Sequence, residues 1–104
     1  MLKPLTVALA LLVWRSGAPI QQPHSYLPRQ GFVPDSLTAV RIAVAVLGPI
    51  YGDSQIQGEA PFRAVLHGGV WTVAGTLPPG MVGGVAIAEL AKSDARVLRV
   101  AHGK

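Results

Sequence analysis

The sequence contains no cysteine and few charged residues. Of its 104 residues, 13% are Asp, Glu, Lys or Arg, whereas half are apolar. The absence of thiols excludes disulfide frameworks, thiolate nucleophiles and zinc sites with cysteine ligands. Because half of the residues are apolar, the chain is not a disordered polar tail. A chain of this length and composition has room for one small domain.

Excess positive charge is also small. Nine Lys and Arg against five Asp and Glu give a net charge of +4. Because Lys3 and Arg15 belong to the N-terminal segment, residues 19–104 keep seven basic and five acidic side chains. A net charge of +2 is a weak match for a phosphate backbone, so we predict no nucleic-acid partner.

No apolar run is long enough to span a bilayer. The run Leu5–Trp14 is too short for a transmembrane helix but suits the core of a signal peptide, and Lys3 precedes it. Ser16–Ala18 offer the small side chains of a cleavage site, although Pro19 fits that site poorly. We predict that residues 1–18 are a signal peptide, with an uncleaved apolar leader as the alternative. The protein is then exported, to the periplasm, with a cytoplasmic location as the alternative.

The next segment has the composition of a linker. Residues 19–31 contain three prolines, several glutamines and no hydrophobic periodicity. We predict a Pro/Gln-rich linker over 19–31 and a folded domain over 32–104.

A helix is predicted directly after Pro34. Asp35 can accept hydrogen bonds from the first free N–H groups, and apolar residues then recur at helical spacing. Gly48-Pro49 predicts a kink or an end, and Gly52 a stop. The helix is apolar on most sides, so we expect it to be buried on most sides. The predicted buried face comprises Leu37, Val40, Val44, Leu47 and Tyr51, widened by Ala39, Ile42, Ala43 and Val46.

From Phe62 onward the apolar period changes from helical to two. Gly68-Gly69 predicts a two-residue hairpin turn, which fixes the register of the strands on either side of it. The buried face then carries Trp71, which we interpret as a core residue. The expected pairs are His67 with Val70, Leu66 with Trp71, Ala64 with Val73, and Phe62 with Gly75.

A second hairpin is predicted over residues 85–102, with a three-residue loop at 93–95. Ala95 would occupy the left-handed position of that loop, which normally favours glycine. The expected pairs are Leu90 with Leu98, Glu89 with Arg99, Ala88 with Val100, and Ala86 with His102.

These elements predict an α+β fold, in which one N-terminal helix packs on a curved four-stranded antiparallel sheet. The second sheet face mixes apolar residues with arginines, which suggests a protein interface. The alternative is that the two arginines are ordinary solvated charges, with Arg99 paired to Glu89. The partner-binding candidates on this face are Arg63, Val65, Val70, Ile87 and Arg99.

The residues offer little for catalysis. The histidines, at 24, 67 and 102, do not have metal-binding spacing. Asp35 is explained as a cap, Asp94 as a turn residue and Glu89 as a partner of Arg99. Asp53 and Glu59 remain, in a loop where nothing predicts burial. We predict no catalytic residue, no metal and no cofactor.

A cavity between helix and sheet is a further possibility. Tyr51, at the helix end, and His102 would lie at its rim. The predicted lining is otherwise apolar, and includes Leu37, Phe62, Val73 and Leu98, so His102 is poorly equipped for chemistry.

Short motifs in a fixed order resemble the nuclear transport factor 2 (NTF2)-like fold immunity proteins of bacteria, over residues 32–104. The sequence departs from the family pattern at Ala95, where glycine is expected, and in alanines at 86, 88 and 91. The motifs are Phe32–Asp35, Thr38–Ala43, Pro49–Gly52, Pro61-Phe62, Gly69–Trp71, Gly75–Pro78, Gly83-Gly84 and His102–Lys104.

The resemblance implies a small cystatin-like α+β domain that binds a toxin of a bacterial polymorphic toxin system and blocks it without chemistry of its own. Its partner would be the cognate toxin. Two alternatives stay open: a cone-shaped small-molecule-binding domain, and a homodimer formed through the exposed sheet face.

Overall fold

The computed structural model describes residues 23–104, and the predicted signal peptide at 1–18 lies outside them. Within the described residues, two helices precede four strands. No helix in the described range is long and apolar enough to cross a membrane. The elements are α1 (Ser36–Tyr51), α2 (Asp53–Gln57), β1 (Arg63–His67), β2 (Val70–Ala74), β3 (Ala86–Ala91) and β4 (Val97–His102).

Helix α1 begins with the cap that the sequence predicts. The Asp35 carboxylate accepts a hydrogen bond from the Thr38 backbone N–H at 2.8 Å and another from the Thr38 hydroxyl at 2.7 Å. These two bonds favour the ionised carboxylate and lower the pKa of Asp35.

The buried face of α1 differs in part from the predicted one. Ala39, Ala43 and Leu47 have no exposed surface, whereas Leu37 is 57% exposed. Leu47 confirms the predicted face, and the prediction was wrong at Leu37. A stripe of small residues at i, i+4 spacing faces the sheet, with the larger Val40 and Val44 half-buried at its margins.

The helix passes through Gly48-Pro49 and ends at Tyr51, directly before Gly52, where the sequence predicts a stop. The N–H of Gly52 donates to the Gly48 carbonyl at 2.7 Å and closes the last turn. Helix α2 then begins directly at Asp53.

The first hairpin has the predicted register. His67 pairs with Val70, Leu66 with Trp71, and Ala64 with Val73. Both turn glycines have positive φ, +56° at Gly68 and +74° at Gly69, as a two-residue turn of this type requires.

The second hairpin confirms three of its four predicted pairs. Glu89 lies opposite Arg99, but Leu90 lies opposite Val97, so a bulge displaces Leu98 from its predicted partner. Leu98 is 42% exposed and is no part of a buried lining. The connection is longer than predicted, and Ala95 has φ +67°, as its position in the loop predicted.

The four strands form one open antiparallel sheet in the order β1-β2-β3-β4, with α1 packed against one face. This is the predicted α+β architecture. Trp71 is 7% exposed, which confirms its interpretation as a core residue. The fully buried large side chains are Leu47, Ile56, Leu90, Val33 and Val73.

The chain is already held to the sheet before α1 begins. The N–H groups of Phe32 and Val33 donate to the carbonyls of Ser93 and Lys92, and the Trp71 indole donates to the Val33 carbonyl at 2.8 Å. Val33 is fully buried. The domain limits at 19–31 and 32–104 stay predictions.

Candidate functional site

A buried carboxylate–imidazole pair is the chemically richest feature of the fold. Glu59, which follows α2, is 3% exposed, and its Oε2 lies 2.8 Å from Nε2 of His102 at the end of β4. The sequence places Glu59 in a loop and contains nothing that predicts its burial, whereas the fold buries it. The sequence prediction also left His102 alone at the rim, whereas the fold brings the two together.

Hydrogen bonds use both oxygens of the Glu59 carboxylate. Oε1 accepts from the Ala86 backbone N–H at 2.7 Å, and Oε2 accepts from the Gln55 side-chain amide at 3.0 Å as well as from His102. The Glu59 carbonyl accepts from the Thr76 N–H at 2.7 Å. Glu59 therefore joins α2 to the central strand β3 and to the edge strand β4.

The partners of His102 favour its charged form. Nδ1 lies 2.7 Å from the carbonyl oxygen of Gly103, and Nε2 lies 2.8 Å from the Glu59 carboxylate. Both partners are acceptors, so both ring nitrogens must carry a proton to satisfy them. The Gly103 carbonyl and then Glu59 accordingly raise the pKa of His102.

The carboxylate is held in its ionised form. Burial by itself raises the pKa of Glu59, but the hydrogen bonds from Ala86, Gln55 and His102 outweigh it, and the net pKa is lowered. Both pKa shifts favour the ion pair, in which the carboxylate is ionised and the imidazole carries the proton.

Tyr51 lies beside this pair. Its ring centroid is 5.1 Å from that of His102, with the two planes tilted by 58°. The structure therefore brings together the two residues predicted for a cavity rim. Their role in binding stays a prediction.

A pocket of about 470 Å³ opens next to His102. Residues of α2, the 77–84 loop and residues 102–104 line it. Its outer wall is apolar and exposed, with Met81 60% and Val82 94% accessible. Because Glu59 and His102 are satisfied by each other and by their neighbours, the pocket presents no free acid or base from this pair.

Close backbone contact holds the wall of the pocket near residue 103. A side chain at Gly84 would collide with the backbone of Gly103, and the Gly103 N–H donates to the Val85 carbonyl at 3.2 Å. This contact extends the β3–β4 pairing beyond His102 and keeps its ring next to Glu59.

The pair lacks the further ligands that a metal site needs. Within residues 23–104, no group of three His, Cys, Asp or Glu side chains could hold a metal ion. Glu59 and His102 supply two such groups, and both are engaged in hydrogen bonds.

The predicted partner-binding residues all lie on the sheet face that α1 leaves uncovered. In the observed register, Arg63 shares a row with Ala74, Ile87 and Ala101, while the next row carries Val65, Thr72, Glu89 and Arg99. Val70 lies in the row beyond, between His67 and Ala91. Their role as an interface stays a prediction.

Exposure on this outer face follows the position in the sheet. Val65 is 65% exposed on the edge strand, whereas Ile87 and Val70 on the central strands are half-buried. Arg99 Nε lies 3.3 Å from the Glu89 carboxylate, the cross-strand pair predicted from the sequence. Among residues 23–104, no carboxylate forms an ion pair with Arg63.

Sequence reasoning missed Glu59 and Gln55. The i, i+4 spacing of these two residues is typical of a helical side-chain pair and was the one local signal available. The register correctly placed His102 opposite Ala86. Nothing in the sequence, however, connects the loop at residue 59 to the Ala86 N–H.

Comparison with known proteins adds to the geometry. Residues 38–104 match the sequence model of a protein family described as "NTF2 fold immunity protein". Uncharacterized protein YhhH of Escherichia coli (strain K12) is 30% identical over 76 residues, which are 72% of this chain and 60% of YhhH. The chain thus spans less than two thirds of that relative's length. No solved structure matches this chain.

Proposed function

The chain belongs to a family of NTF2-fold immunity proteins, and from that premise we propose that it neutralises a bacterial toxin by stoichiometric binding. The proposal assigns the protein a toxin as its partner and no chemistry of its own. It covers the immunity domain, because the chain matches only part of its curated relative.

The outer sheet face is the observation that carries the proposal. It combines exposed apolar surface at Val65 with the guanidinium groups of Arg63 and Arg99. Arginine next to apolar groups is a common composition of interface hot spots, because the guanidinium can form several hydrogen bonds while its stem packs on the partner.

The hydrogen bonds that Glu59 and His102 already make support binding over catalysis. A general base must accept a proton from a substrate, yet both oxygens of Glu59 already accept hydrogen bonds. The pocket beside the pair therefore supports the alternative, a small-molecule-binding cone, less than the outer sheet face supports toxin binding.

The first experiment identifies the partner. Tagged protein is used to capture proteins from the bacterium that encodes it, and the gene of each captured protein is expressed alone in a bacterial host. The proposal expects one captured protein that stops growth, and co-expression of the immunity protein should restore colony counts.

An outer-face variant tests the surface. We expect Arg63→Glu/Arg99→Glu to weaken binding about a hundredfold and to lose protection, since two arginine anchors are reversed. Because Arg99→Glu also breaks the pair with Glu89, the swap Glu89→Arg/Arg99→Glu keeps that pair while moving the charges. Arg41→Glu, at an exposed position of α1, is the control away from the proposed site.

Different outcomes separate the readings. Capture that survives the outer-face variant would keep neutralisation and move the interface. Recovery of the protein's own copies alone, with a dimer mass in solution, would contradict neutralisation and support the homodimer. Intact mass in the periplasmic fraction tests the proposed export, which predicts loss of residues 1–18.

A further inference from the structure

Strand β1 forms one edge of the sheet, and its outward side pairs with no strand within residues 23–104. In a two-residue hairpin, the pair that closes the turn is a hydrogen-bonded pair and bonded pairs then alternate. The backbone groups of His67, Val65 and Arg63 therefore point to β2. Those of Ala64 and Leu66 point outward and are available to another strand.

The two edges of the sheet are not equivalent. Strand β4 is interrupted by the bulge at Leu98, a feature that protects an edge against pairing. Strand β1 pairs with β2 continuously over its full length and has no bulge. Of the two edges, β1 is thus the one that can accept an added strand.

An apolar groove runs beside this edge. It has a volume of about 510 Å³ and lies between the first turns of α1 and residues 62–65. Ser36, Leu37 and Val40 line it from the helix, and residues 62–65, which include Phe62, Arg63 and Val65, line it from the sheet. Because alternate side chains of a strand point to the same face, an added strand would place every second side chain towards this groove.

Charge on the opposite face selects the occupant. The outer-face side chains of β1 are Arg63, Val65 and His67, and β1 contains no carboxylate. A second copy in antiparallel pairing, centred on Val65, would set Arg63 opposite His67 twice, and no other register of β1 with itself supplies an acid. Residues 1–22 contain Lys3 and Arg15 but no Asp or Glu. Neither a second copy of β1 nor residues 1–22 therefore complements the charge of Arg63.

We propose that β1 binds an extended segment of the toxin by strand addition, with apolar side chains in the groove and acidic ones opposite Arg63. The inference rests on the proposed function for its partner and deepens it by naming the mode of recognition. Main-chain hydrogen bonds to Ala64 and Leu66 supply affinity, while the groove and Arg63 supply specificity.

The test uses the full chain, labelled with nitrogen-15, and an acetylated nine-residue peptide of alternating glutamate and leucine at up to millimolar concentration. We expect the amide signals of Ala64 and Leu66 to shift and their hydrogen exchange to slow. A lysine-and-leucine peptide should bind about tenfold more weakly, because like charges then face Arg63.

Two controls isolate the backbone contacts. Ala64→Pro removes an outward N–H without removing a bond to β2, and should abolish binding. If that variant fails to fold, a glutamate-and-leucine peptide methylated at alternate amide nitrogens removes the same bonds from the ligand side. It should not bind the unmodified protein.

Several results would overturn the proposal: equal affinity of both peptides, shifts confined to other strands, or no shift at β1. Slow exchange at Ala64 and Leu66 without peptide would also overturn it, since the edge would be occupied already. If that slow exchange depended on protein concentration, a second copy would be the occupant. If it did not, residues 1–22 would be the occupant. No toxin is present, so failure here leaves neutralisation intact.

Discussion

Glu59 acquires its role from groups that are distant in the sequence. Its carboxylate meets a backbone N–H of β3, an amide one helical turn away and an imidazole 43 positions later. Burial of a carboxylate is costly unless hydrogen bonds and an opposite charge compensate for it. All three compensating groups are present, so the pair acts as a structural tie between α2 and the sheet.

The free energy of unfolding should depend on pH through this pair. The folded state raises the pKa of His102 above its ordinary 6.5, so its contribution is complete below that value and is lost as pH rises through the higher folded pKa. The pKa of Glu59 is lowered below 4.5, so its contribution is complete above 4.5 and is lost as pH falls through the lower folded pKa. Stability should be greatest between these limits.

His102→Gln tests this dependence. We expect a loss of about 1–3 kcal/mol near pH 6, because the buried carboxylate loses a charged donor, and disappearance of the alkaline decline. Urea unfolding measured from acid to alkaline pH gives both quantities. His67→Gln, at an exposed position, is the matched control. An unchanged pH profile in His102→Gln would contradict the role of the pair.

At the scale of elements, the sequence predicted the sheet better than the helix. The Gly68-Gly69 turn sets a register, and strict alternation then assigns each side chain to a face. The helix has no such constraint. Which of its apolar residues are fully buried depends on how closely the helix approaches the sheet, and spacing alone does not contain that distance.

The bulge at Leu98 shows another limit of the pattern. Three predicted pairs of the second hairpin are present, and the error begins where the loop is longer than predicted. Loop length decides register near a turn, and the turn residues Ser93–Ala95 are compatible with more than one length. Ala95 was nevertheless recognised as a residue in a conformation that favours glycine.

Ala95→Gly should stabilise the protein. At φ +67° the alanine Cβ is strained, and relief of that strain exceeds the greater flexibility that glycine adds to the unfolded chain. We expect a gain of about 1 kcal/mol, or roughly 4 °C or more in the thermal midpoint. Differential scanning calorimetry measures both.

The same substitution at an exposed helical position provides the control. Ala45→Gly in α1 should destabilise by about 1 kcal/mol, because φ is negative there and only the flexibility cost remains. If Ala95→Gly also destabilised, the strain argument for the β3–β4 loop would fail.

At the scale of the whole molecule, the sequence placed the start of the folded part near residue 32, and Val33 gives that boundary a physical test. A chain of residues 32–104 should unfold cooperatively. A chain of residues 34–104 should be less stable by about 3 kcal/mol, since it loses a buried valine and the acceptor of the Trp71 indole.

Urea unfolding followed by far-ultraviolet circular dichroism compares the two chains. Val33→Ala in the full chain separates the two losses, because it removes apolar burial but keeps the carbonyl. Equal stability of residues 32–104 and 34–104 would show that the pre-helical segment does not belong to the folded unit.

The link between Glu59 and His102 also sets an order for biosynthesis. Three of the four strands lie between these two residues in the chain, so a ribosome delivers the carboxylate well before the imidazole that neutralises it. Until residue 102 has left the exit tunnel, docking α2 onto β1–β3 would bury an anion without its cation. The nascent domain therefore gains its full stability only after synthesis of β4.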